Sequence, residues 1–399
     1  MNVLVLNCGS SSIKYQVLNM DAEAKLLAKG IVEKIGLTLG AFTYKAIDKD
    51  KIVIERQIPN HSVGMDLILK TIIDENHGVI KSLNEINAIG HRVAHGGEFF
   101  TESAVINEDV KEKINKCAEL APLHNPANLT GIETMEKLLP GVPQVAVFDT
   151  SFHHTMPKKA YIYGIPYKYY TDYKVRKYGF HGTSHKFVAE KACNILGCHI
   201  NEKKIITCHL GNGASITAIN KGKSVDTSMG FTPVAGLVMG TRAGNLSLGA
   251  LLYIAEKENM NLSQMNDLVN KESGVMGISG VSSDFRDLYK ASETGNKRAA
   301  LALDIFSYNV KKYIGAYAAV MNGVDIVVFT GGIGENDFGV RKAVCEDMDY
   351  LGIEINNELN SRSRGEDTIL STPESKTKVL LVTTDEELVI AMDTVKLIR

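Results

Sequence analysis

The segment 325–336, which reads DIVVFTGGIGEN, constrains the fold of this chain more than any other stretch. Its apolar, largely β-branched run has the length of a buried strand, and it breaks into Gly331, Gly332 and Gly334 before a helix-like segment resumes at Glu335. Glycines allow positive φ and a close approach of the backbone to a ligand, and N–H groups at a helix start can bind phosphate. A plain chain reversal is the alternative. The segment therefore predicts part of an α/β fold and leaves its ligand open.

An apolar strand, a polar turn and a second strand occur in succession twice in the chain. Residues 3–6 and 13–18 flank the turn NCGSSS, and residues 205–208 and 215–219 flank the turn HLGNGA. Such a repeat is expected when each domain contributes one copy. A chain of 399 residues also exceeds the size at which a single hydrophobic core usually stops growing. We therefore predict two domains of similar build.

Strand and helix patterns alternate through the rest of the chain. Helical spacing of apolar residues is found at 62–75, 111–120, 128–139, 184–196, 246–257, 297–321, 336–348 and 386–398. Strand patterns are found at 145–148, which ends at Asp149, and at 378–382. This alternation predicts an α/β sheet covered by helices.

Composition argues against several classes of protein. The formal net charge of −2 gives no general attraction to nucleic acid or to an anionic membrane, and no apolar run approaches the length that spans a bilayer. The six cysteines form no C-x-x-C pair, which favours reduced, buried thiols over metal or redox roles. The first residues, MNVLVLN, lack the features of a signal peptide. We expect a cytoplasmic protein without a nucleic-acid or membrane partner.

Polar side chains gather directly after the predicted strands, where open α/β sheets bind their ligands. Hydroxyl, amide and cationic donors predominate, with a few carboxylates. This chemistry suits phosphates and one divalent cation better than a hydride cofactor. The set comprises Asn7, Ser10, Ser12, Lys14, His91, Arg92, His95, Asp149, His209, Asn212, Gly213, residues 331–335, Asp385 and Glu386.

Arg92 lies in the motif GHRVAHGG, after a strand run with apolar or small neighbours. Its guanidinium fork matches a carboxylate or a phosphate in bidentate fashion. A surface arginine in an ion pair is the alternative. His91 and His95 are spaced i, i+4, but a glycine-flanked segment beside a strand does not place them on one helical face. We interpret both histidines as structural.

His181 and Arg242 both lie in glycine-containing turns. His181, in KYGFHGTSH, precedes a predicted helix and can donate to an anion held there. Zinc binding by His181 and His185 is the alternative, but no third ligand is apparent nearby. Arg242 lies in MGTRAG. Two loop arginines and a loop histidine suit a transition state that spreads negative charge over transferring phosphoryl oxygens.

A set of motifs covering almost the whole chain resembles the acetate kinase family in order and spacing. The motifs are NCGSSSIK (7–14), GHRVAHGG (90–97), APLHNP (121–126), FDTSFH (148–153), KYGFHGTSH (177–185), CHLGNG (208–213), SMGFTP (228–233), SDFRDL (283–288), GGIGEN (331–336) and TDEEL (384–388).

The resemblance implies a fold and an activity. The fold would be α/β, with two duplicated ribonuclease-H-like or actin-like ATPase domains and an interdomain cleft. The N-terminal domain would span 1–149, completed by the C-terminal helix 386–399, and the C-terminal nucleotide-binding domain would span 150–385. The implied activity is acetate kinase: reversible, Mg²⁺-dependent, direct in-line transfer of the ATP γ-phosphoryl group to acetate, giving acetyl phosphate and ADP. Mn²⁺ is an alternative ion, and a homodimer is expected.

The resemblance also implies a role for each site residue. Arg92 and Arg242 would hold the acid and the transferring group, His181 would stabilise the transition state, and Asp149 would order the acceptor. Asn7 and Glu386 would help to hold Mg²⁺. An apolar pocket for the acid beside Arg92 would comprise Val93, Leu123, Phe180 and Pro233. The nucleotide and its phosphates would contact Ser10, Ser12, Lys14, His209, Leu210, Gly211, Asn212, Gly213, Asp284, Phe285, Arg286, Gly331, Gly332, Ile333, Gly334 and Glu335.

Residue chemistry supports a carboxylate acceptor independently. Two unit charges 4 Å apart repel by about 4 kcal/mol at an effective dielectric of 20, so ATP and an acid need cations between them. A carboxylate is already nucleophilic, so no general base is required. The chain departs from the family after Arg242, where G-D-x-D-P is usual and Asn245, Leu246, Ser247 and Leu248 follow Gly244. Ala94 stands where a second valine is common, which would admit a longer acid.

Two other functions remain open. One is a propionate kinase of the same family. The other is a non-catalytic, actin-like nucleotide switch, and the combination of Arg92, His181 and Arg242 argues against it, because a switch needs no anion-lined acceptor pocket.

Overall fold

The computed structural model describes residues 1–399 and contains two β-sheets. The strands are β1 (Asn2–Cys8), β2 (Ser12–Asn19), β3 (Lys25–Glu33), β4 (Gly40–Ala46), β5 (Ile52–Arg56), β6 (Ile86–Val93), β7 (Ala104–Val105), β8 (Gln144–Phe148), β9 (Lys204–Leu210), β10 (Ala214–Asn220), β11 (Lys223–Thr227), β12 (Ile326–Thr330), β13 (Thr368–Ile369) and β14 (Lys378–Leu381).

The helices are α1 (His61–Ile72), α2 (Glu108–Lys116), α3 (Asn125–Leu138), α4 (Lys158–Tyr161), α5 (Lys168–Tyr173), α6 (Gly182–Leu196), α7 (Leu248–Lys257), α8 (Leu262–Asp267), α9 (Gly274–Ser279), α10 (Phe285–Glu293), α11 (Lys297–Met321), α12 (Gly331–Asn336), α13 (Phe338–Cys345), α14 (Asn357–Arg362) and α15 (Glu386–Ile398). None of them combines the length and the apolar character needed to cross a lipid bilayer.

The chain divides into two compact units. The first unit comprises Met1–Phe152 and Asp385–Arg399, and the second unit comprises His153–Thr384. Each unit contains one of the two sheets.

The sheet of the first unit has the strand order β5-β4-β3-β2-β1-β6-β8-β7. Strands β1 to β5 form an antiparallel meander, whereas β1, β6 and β8 run parallel. Parallel neighbours need crossover connections, which contain α1 between β5 and β6, and α2 and α3 before β8. The carboxyl ends of β1, β6 and β8 therefore lie along one edge.

The sheet of the second unit has the order β11-β10-β9-β12-β14-β13. Strands β9, β10 and β11 are antiparallel, whereas β9, β12 and β14 run parallel. Strands β11-β10-β9-β12-β14 thus repeat β3-β2-β1-β6-β8 in order and direction. This repeat confirms the predicted α/β class and the predicted duplication.

Strand β1 is buried on both faces, because its side chains alternate between two apolar layers. Val3 and Val5 pack with Ile390 and Val395 of α15, while Leu4 and Leu6 belong to the cluster that contains residues of α1 and α3. Gly90 in β6 allows α15 to approach closely, since a Cβ there would lie 2.6 Å from Ile390 Cγ2. The C-terminal helix is therefore part of the first unit.

The predicted strand, turn and helix at 325–336 is present, with one correction. Strand β12 ends at Thr330, and helix α12 begins at Gly331 rather than near Glu335. Of the three glycines only Gly331 has a positive φ, 77°, and a Cβ there would lie 2.8 Å from the Leu210 carbonyl oxygen. Gly332 and Gly334 lie inside the helix. The prediction that the helix resumes only at Glu335 was wrong, because a single left-handed residue, Gly331, completes the change of direction.

Candidate functional site

Arg92 lies at the edge of the first sheet where the parallel strands end. Its Nε donates to Asp149 Oδ1 at 3.0 Å, and its Nη2 pairs with Asp149 Oδ2 at 2.5 Å. Its Nη1 donates to Asn7 Oδ1 at 3.2 Å. Asn7 belongs to β1, Arg92 to β6, and Asp149 follows β8, so the strand order brings the three together. Arg92 therefore forms an ion pair, as the alternative interpretation expected, and its partner Asp149 is itself a predicted site residue.

Acidic groups surround this arginine. Burial raises the pKa of Asp149, while Arg92 opposes the rise and Glu386 adds to it. Burial also raises the pKa of Glu386, the first residue of α15, again against the effect of Arg92. The side chain of Glu386 makes no hydrogen bond or ion pair, whereas its neighbour Glu387 pairs with Lys14 at 2.5 Å. A further cation would stabilise the ionised Glu386.

The other predicted residues of the first unit differ in their surroundings. Ser10 is exposed in the turn before β2, Ser12 is half-buried where β2 begins, and Lys14 lies within β2. Leu123 is 62% exposed. Val93 is fully buried in an apolar cluster with Phe148, so its placement does not support a role in an acid pocket. Side chains alternate along a strand, so Arg92 and Val93 face opposite sides of β6, and Ala94 is buried in the bend that follows the strand.

His181 is the N-cap residue of α6 in the second unit, and its backbone is left-handed, with φ 55°. This conformation is costly for a residue with a Cβ, and such strain concentrates at functional sites. Its Nδ1 lies 2.9 Å from Ser215 Oγ, and its ring centroid lies 4.3 Å from that of His209. Phe180, the preceding residue, is buried in the core of the unit, and Pro233 is half-buried in the loop after β11.

The zinc alternative finds no support in these contacts. Both ring nitrogens of His185 are hydrogen-bonded, to Thr207 Oγ1 and to Ser215 Oγ, each at 2.7 Å. No group of three His, Cys, Asp or Glu side chains is placed to hold a metal ion.

Arg242 lies beside His181 and the turn between β9 and β10. A Cβ on Gly213 would lie 3.3 Å from Arg242 Nη1 and 3.7 Å from His181 Cε1, so both side chains border the same glycine. The guanidinium makes no hydrogen bond or ion pair with the protein, and burial lowers the pKa of Arg242. A half-buried cation without a partner is a binding group for an anion.

The backbone of the loop, rather than the guanidinium, holds Arg242 in place. The carbonyl oxygen of Arg242 accepts from Met239 N at 3.1 Å, and Ala243 N donates to Val269 O at 2.9 Å. Asn245 then accepts from Gly236 N at 3.0 Å and donates to Tyr313 Oη at 2.7 Å. The side-chain amide of Asn245 therefore fixes the loop after Arg242 by two hydrogen bonds, at a position where the family motif has an aspartate.

The second unit contains a cavity of about 610 Å³ that brings three predicted segments together. Gly211 and Asn212, residues 284–286, and Gly332 with Ile333 all contribute to its wall. Asn212 approaches Gly240 so closely that a Cβ there would lie 1.7 Å from its Oδ1. Arg286 pairs with Asp284 and lowers the pKa of that carboxyl to about 2. The further lining residues are Ser283, Tyr289, Asn336, Asp337, Phe338 and Arg364.

The remaining predicted nucleotide residues of the second unit are neighbours in sequence of the segments that line this cavity, but they do not line it themselves. Glu335 is engaged within the protein, since its Oε1 accepts from Gly331 N at 3.0 Å and from Thr384 N at 3.1 Å. His209 Nδ1 lies 2.8 Å from Ser184 Oγ. Leu210, Gly331 and Gly334 are buried around the same strand ends.

Sequence reasoning missed several residues around Arg92, around His181 and in the wall of the cavity. Asn336 and Glu387 belong to the quoted motifs GGIGEN and TDEEL, and Phe338 lies two residues after the first of them, so all three could have been included as site residues. Arg364 had no local signal, because its place at the cavity depends on the fold of the segment after α14. Ser215 is the second residue of β10, where a serine is common in sequence and gives no signal of its own.

Comparison with known proteins identifies the family. The model described as the acetokinase family matches residues 2–392. The chain belongs to the acetokinase family. One relative in this family, acetate kinase of Parabacteroides distasonis, is 56% identical over 400 residues, which cover 100% of this chain and 99% of that protein.

Solved structures related to this acetokinase-family chain have the same fold over its full length. The crystal structure of Porphyromonas gingivalis acetate kinase matches with a TM-score of 0.97 and 49% identity, covering 100% of both chains. A propionate kinase from Francisella tularensis matches with a TM-score of 0.92 and 41% identity, covering 99% of each chain. The duplicated, actin-like ATPase fold implied by the sequence motifs is therefore confirmed.

Proposed function

We propose that this chain is an acetate kinase that transfers the γ-phosphoryl group of ATP to acetate, reversibly, and forms acetyl phosphate and ADP. The observation that carries the proposal is the half-buried, unpartnered guanidinium of Arg242 beside His181, in a chain that is 56% identical to an acetate kinase throughout. A carboxylate acceptor brings its own negative charge to the reaction, and an unpaired guanidinium answers that need.

The proposed reaction is a direct displacement. An oxygen of acetate forms a bond to the γ-phosphorus while the bond from that phosphorus to the ADP oxygen breaks. Arg242 and His181 would donate to the phosphoryl oxygens as charge spreads over them, and Arg92 would orient the acid. Asp149 would act by holding Arg92 through its bidentate pair. No residue needs to remove a proton, because the nucleophile is already ionised.

The residues around Arg92 fit a magnesium ion. Glu386 is a carboxylate without a hydrogen bond or ion pair, and burial raises its pKa, while Asn7 offers an amide oxygen. Oxygen ligands of this kind suit Mg²⁺, which usually completes its coordination with water and phosphate oxygens. Asn7 and Glu386 would help to hold the ion, which when bound would neutralise charge on the ATP phosphates; Mn²⁺ is the alternative ion.

The nucleotide is assigned to the cavity of the second unit. Its volume of about 610 Å³ is within the range of small-molecule sites, and it combines apolar walls with polar groups. Phe338 and Tyr289 supply aromatic surface for a base, and Asn212, Asp284 and Asn336 supply polar groups for a sugar or a base edge. Ser10, Ser12 and Lys14 are assigned to the phosphates, and the segments 209–213 and 331–335 are assigned to the surroundings of the nucleotide.

Acetate is favoured over propionate as the acceptor. Identity to the solved acetate kinase of Porphyromonas gingivalis is 49%, against 41% to the solved propionate kinase. Leu123, Phe180 and Pro233 are assigned to the apolar side of the acid, with Ala94 rather than Val93 as the residue next to Arg92. The small side chain of Ala94 leaves room that would allow propionate as a slower substrate.

Helix α7 supports a homodimer. None of its residues is buried, although several of them are large and apolar. The side chains of Leu248, Leu252 and Tyr253 are 77%, 64% and 61% exposed. An exposed apolar helix of this kind is typical of a surface that a partner covers, and a second copy of the chain is the proposed partner. Six free cysteines are consistent with the proposed location in the reducing cytoplasm. The net charge of −2 provides no general electrostatic attraction to nucleic acid.

Trapping of acyl phosphate with hydroxylamine tests the proposal directly. Purified protein is incubated with Mg²⁺, ATP and one of acetate, propionate or butyrate, and the hydroxamate is measured. Acetate is expected to give the highest kcat/KM. Formation of no hydroxamate from any acid would reject the proposal and favour the nucleotide switch, and a higher kcat/KM with propionate would favour the propionate kinase.

A further inference from the structure

A chain of buried polar side chains in the second unit ends at His181. Thr207 Oγ1 lies 2.7 Å from His185 Nδ1, and His185 Nε2 lies 2.7 Å from Ser215 Oγ. Ser215 Oγ in turn lies 2.9 Å from His181 Nδ1. Thr207, His185 and Ser215 are fully buried. Water cannot satisfy these groups, so the placement of their hydrogens is determined by one another.

Only one placement gives every hydroxyl hydrogen an acceptor. Burial lowers the pKa of His185 well below its usual value, so this ring is neutral and carries one N–H. If Thr207 donates to His185 Nδ1, His185 Nε2–H donates to Ser215, and the Ser215 hydroxyl donates to His181 Nδ1.

The reverse placement leaves a buried donor unsatisfied. His185 would then donate from Nδ1 to Thr207, and the only hydrogen-bond partner of the Thr207 hydroxyl would no longer accept its hydrogen. An unsatisfied buried donor costs the desolvation free energy of that group. The direction from Thr207 to His181 is therefore the stable one.

We propose that Thr207, His185 and Ser215 form a relay of hydrogen bonds that fixes His181 as a neutral imidazole with its proton on Nε2. Because Nδ1 accepts from Ser215, Nε2 carries the hydrogen and can donate it to a phosphoryl oxygen while the ring stays uncharged. Arg242 favours this state, since its Nη1 borders the same glycine as His181 and a cationic ring would be repelled by it. The rings of His209 and His185, with centroids 4.3 Å and 6.5 Å from that of His181, are titratable neighbours as well. The inference rests on the role proposed above for His181 and makes Ser215 and His185 positioning residues.

Nuclear magnetic resonance of the intact protein tests the tautomer without any activity measurement. The 11 histidines are labelled with ¹⁵N, and the His181 signals are assigned by their loss in His181→Gln. Long-range correlation between ring protons and ring nitrogens distinguishes a protonated from an unprotonated nitrogen. We expect Nε2 protonated and Nδ1 unprotonated near neutral pH. A proton on Nδ1, or a mixture of tautomers, would overturn the relay.

A pair of matched variants tests its effect on the reaction. Ser215→Ala removes the hydroxyl that contacts His181, whereas Thr217→Val removes an equally buried hydroxyl two residues along β10, where it pairs with Thr227 at 2.9 Å. Ser215→Ala is expected to lower kcat about three- to tenfold, the rate equivalent of one neutral hydrogen bond, and to leave KM for both substrates within about twofold. Thr217→Val is expected to keep kcat within about twofold. Equal losses in both variants would mean that buried hydroxyls matter only for stability, which would overturn the inference.

The relay and the proposed function fail in different ways. If the wild-type protein forms acetyl phosphate but carries the His181 proton on Nδ1, the relay is wrong and the function stands. If it forms no acyl phosphate while the proton is on Nε2, the function is wrong and the placement of hydrogens stands.

Discussion

Replacing Arg242 by alanine separates a role in the reaction from a role in the fold. The guanidinium makes no hydrogen bond or ion pair, and burial lowers its pKa. Because a desolvated charge without a partner costs free energy, Arg242→Ala is expected to leave the free energy of unfolding unchanged or slightly higher. Arg92→Ala is the contrasting variant, because it leaves the buried carboxylate of Asp149 without its cation. This variant should lower the free energy of unfolding by about 3–5 kcal/mol.

The expected effect of Arg242→Ala on rate is large. One guanidinium about 4 Å from a unit charge contributes about 4 kcal/mol at an effective dielectric of 20, which suits a half-buried group. If that interaction develops mainly as the phosphoryl group transfers, its loss slows kcat about 10³-fold. Arg242→Lys keeps the charge but loses the fork, so its kcat should lie between those of the alanine variant and the wild type.

The assay combines rate and stability on the same preparations. Acetyl phosphate formation is followed by hydroxylamine trapping at saturating substrates, and unfolding is followed by circular dichroism in urea. A kcat reduced less than about tenfold would refute the assigned role. A loss of more than about 1 kcal/mol in unfolding free energy would instead show that Arg242 stabilises the fold.

Three further changes test other parts of the proposal. Ala94→Val should raise the ratio of the propionate KM to the acetate KM by filling space beside Arg92; an unchanged ratio, with stability retained, would show that residue 94 faces elsewhere. Burial raises the pKa of Glu386 in the folded protein, so ionisation costs stability as pH rises through that raised pKa, and this cost is absent below the pKa of the unfolded chain. Glu386→Gln should therefore melt at or above the wild-type temperature at about pH 8, converge with it near about pH 4, and lose the stabilisation by Mg²⁺ and ADP; a lower melting temperature at about pH 8 would contradict this. Leu252→Glu on the exposed face of α7 should shift the mass measured by light scattering from dimer to monomer, whereas an unchanged dimer would place the interface elsewhere.

Sequence patterns located the elements that have a strong local signal. The long amphipathic helices Lys297–Met321 and Glu386–Ile398 and the strand at Ile326–Thr330 were predicted from periodicity and run length, and the structure contains them. Strands β3, β4 and β5 were not predicted. They extend the first sheet as an antiparallel meander, and the exposed residues along β5 carry no buried-strand pattern.

The sequence by itself determined the residue types and their order: glycines where a side chain would collide, arginines and a histidine in turns, and polar groups directly after apolar runs. Only the tertiary structure decided which of them meet. The pairing of Arg92 with Asp149 and the alignment of Thr207, His185 and Ser215 behind His181 depend on strand register and on burial. Such contacts join residues far apart in the chain, and it is the removal of water around them that fixes where each hydrogen and each charge must lie.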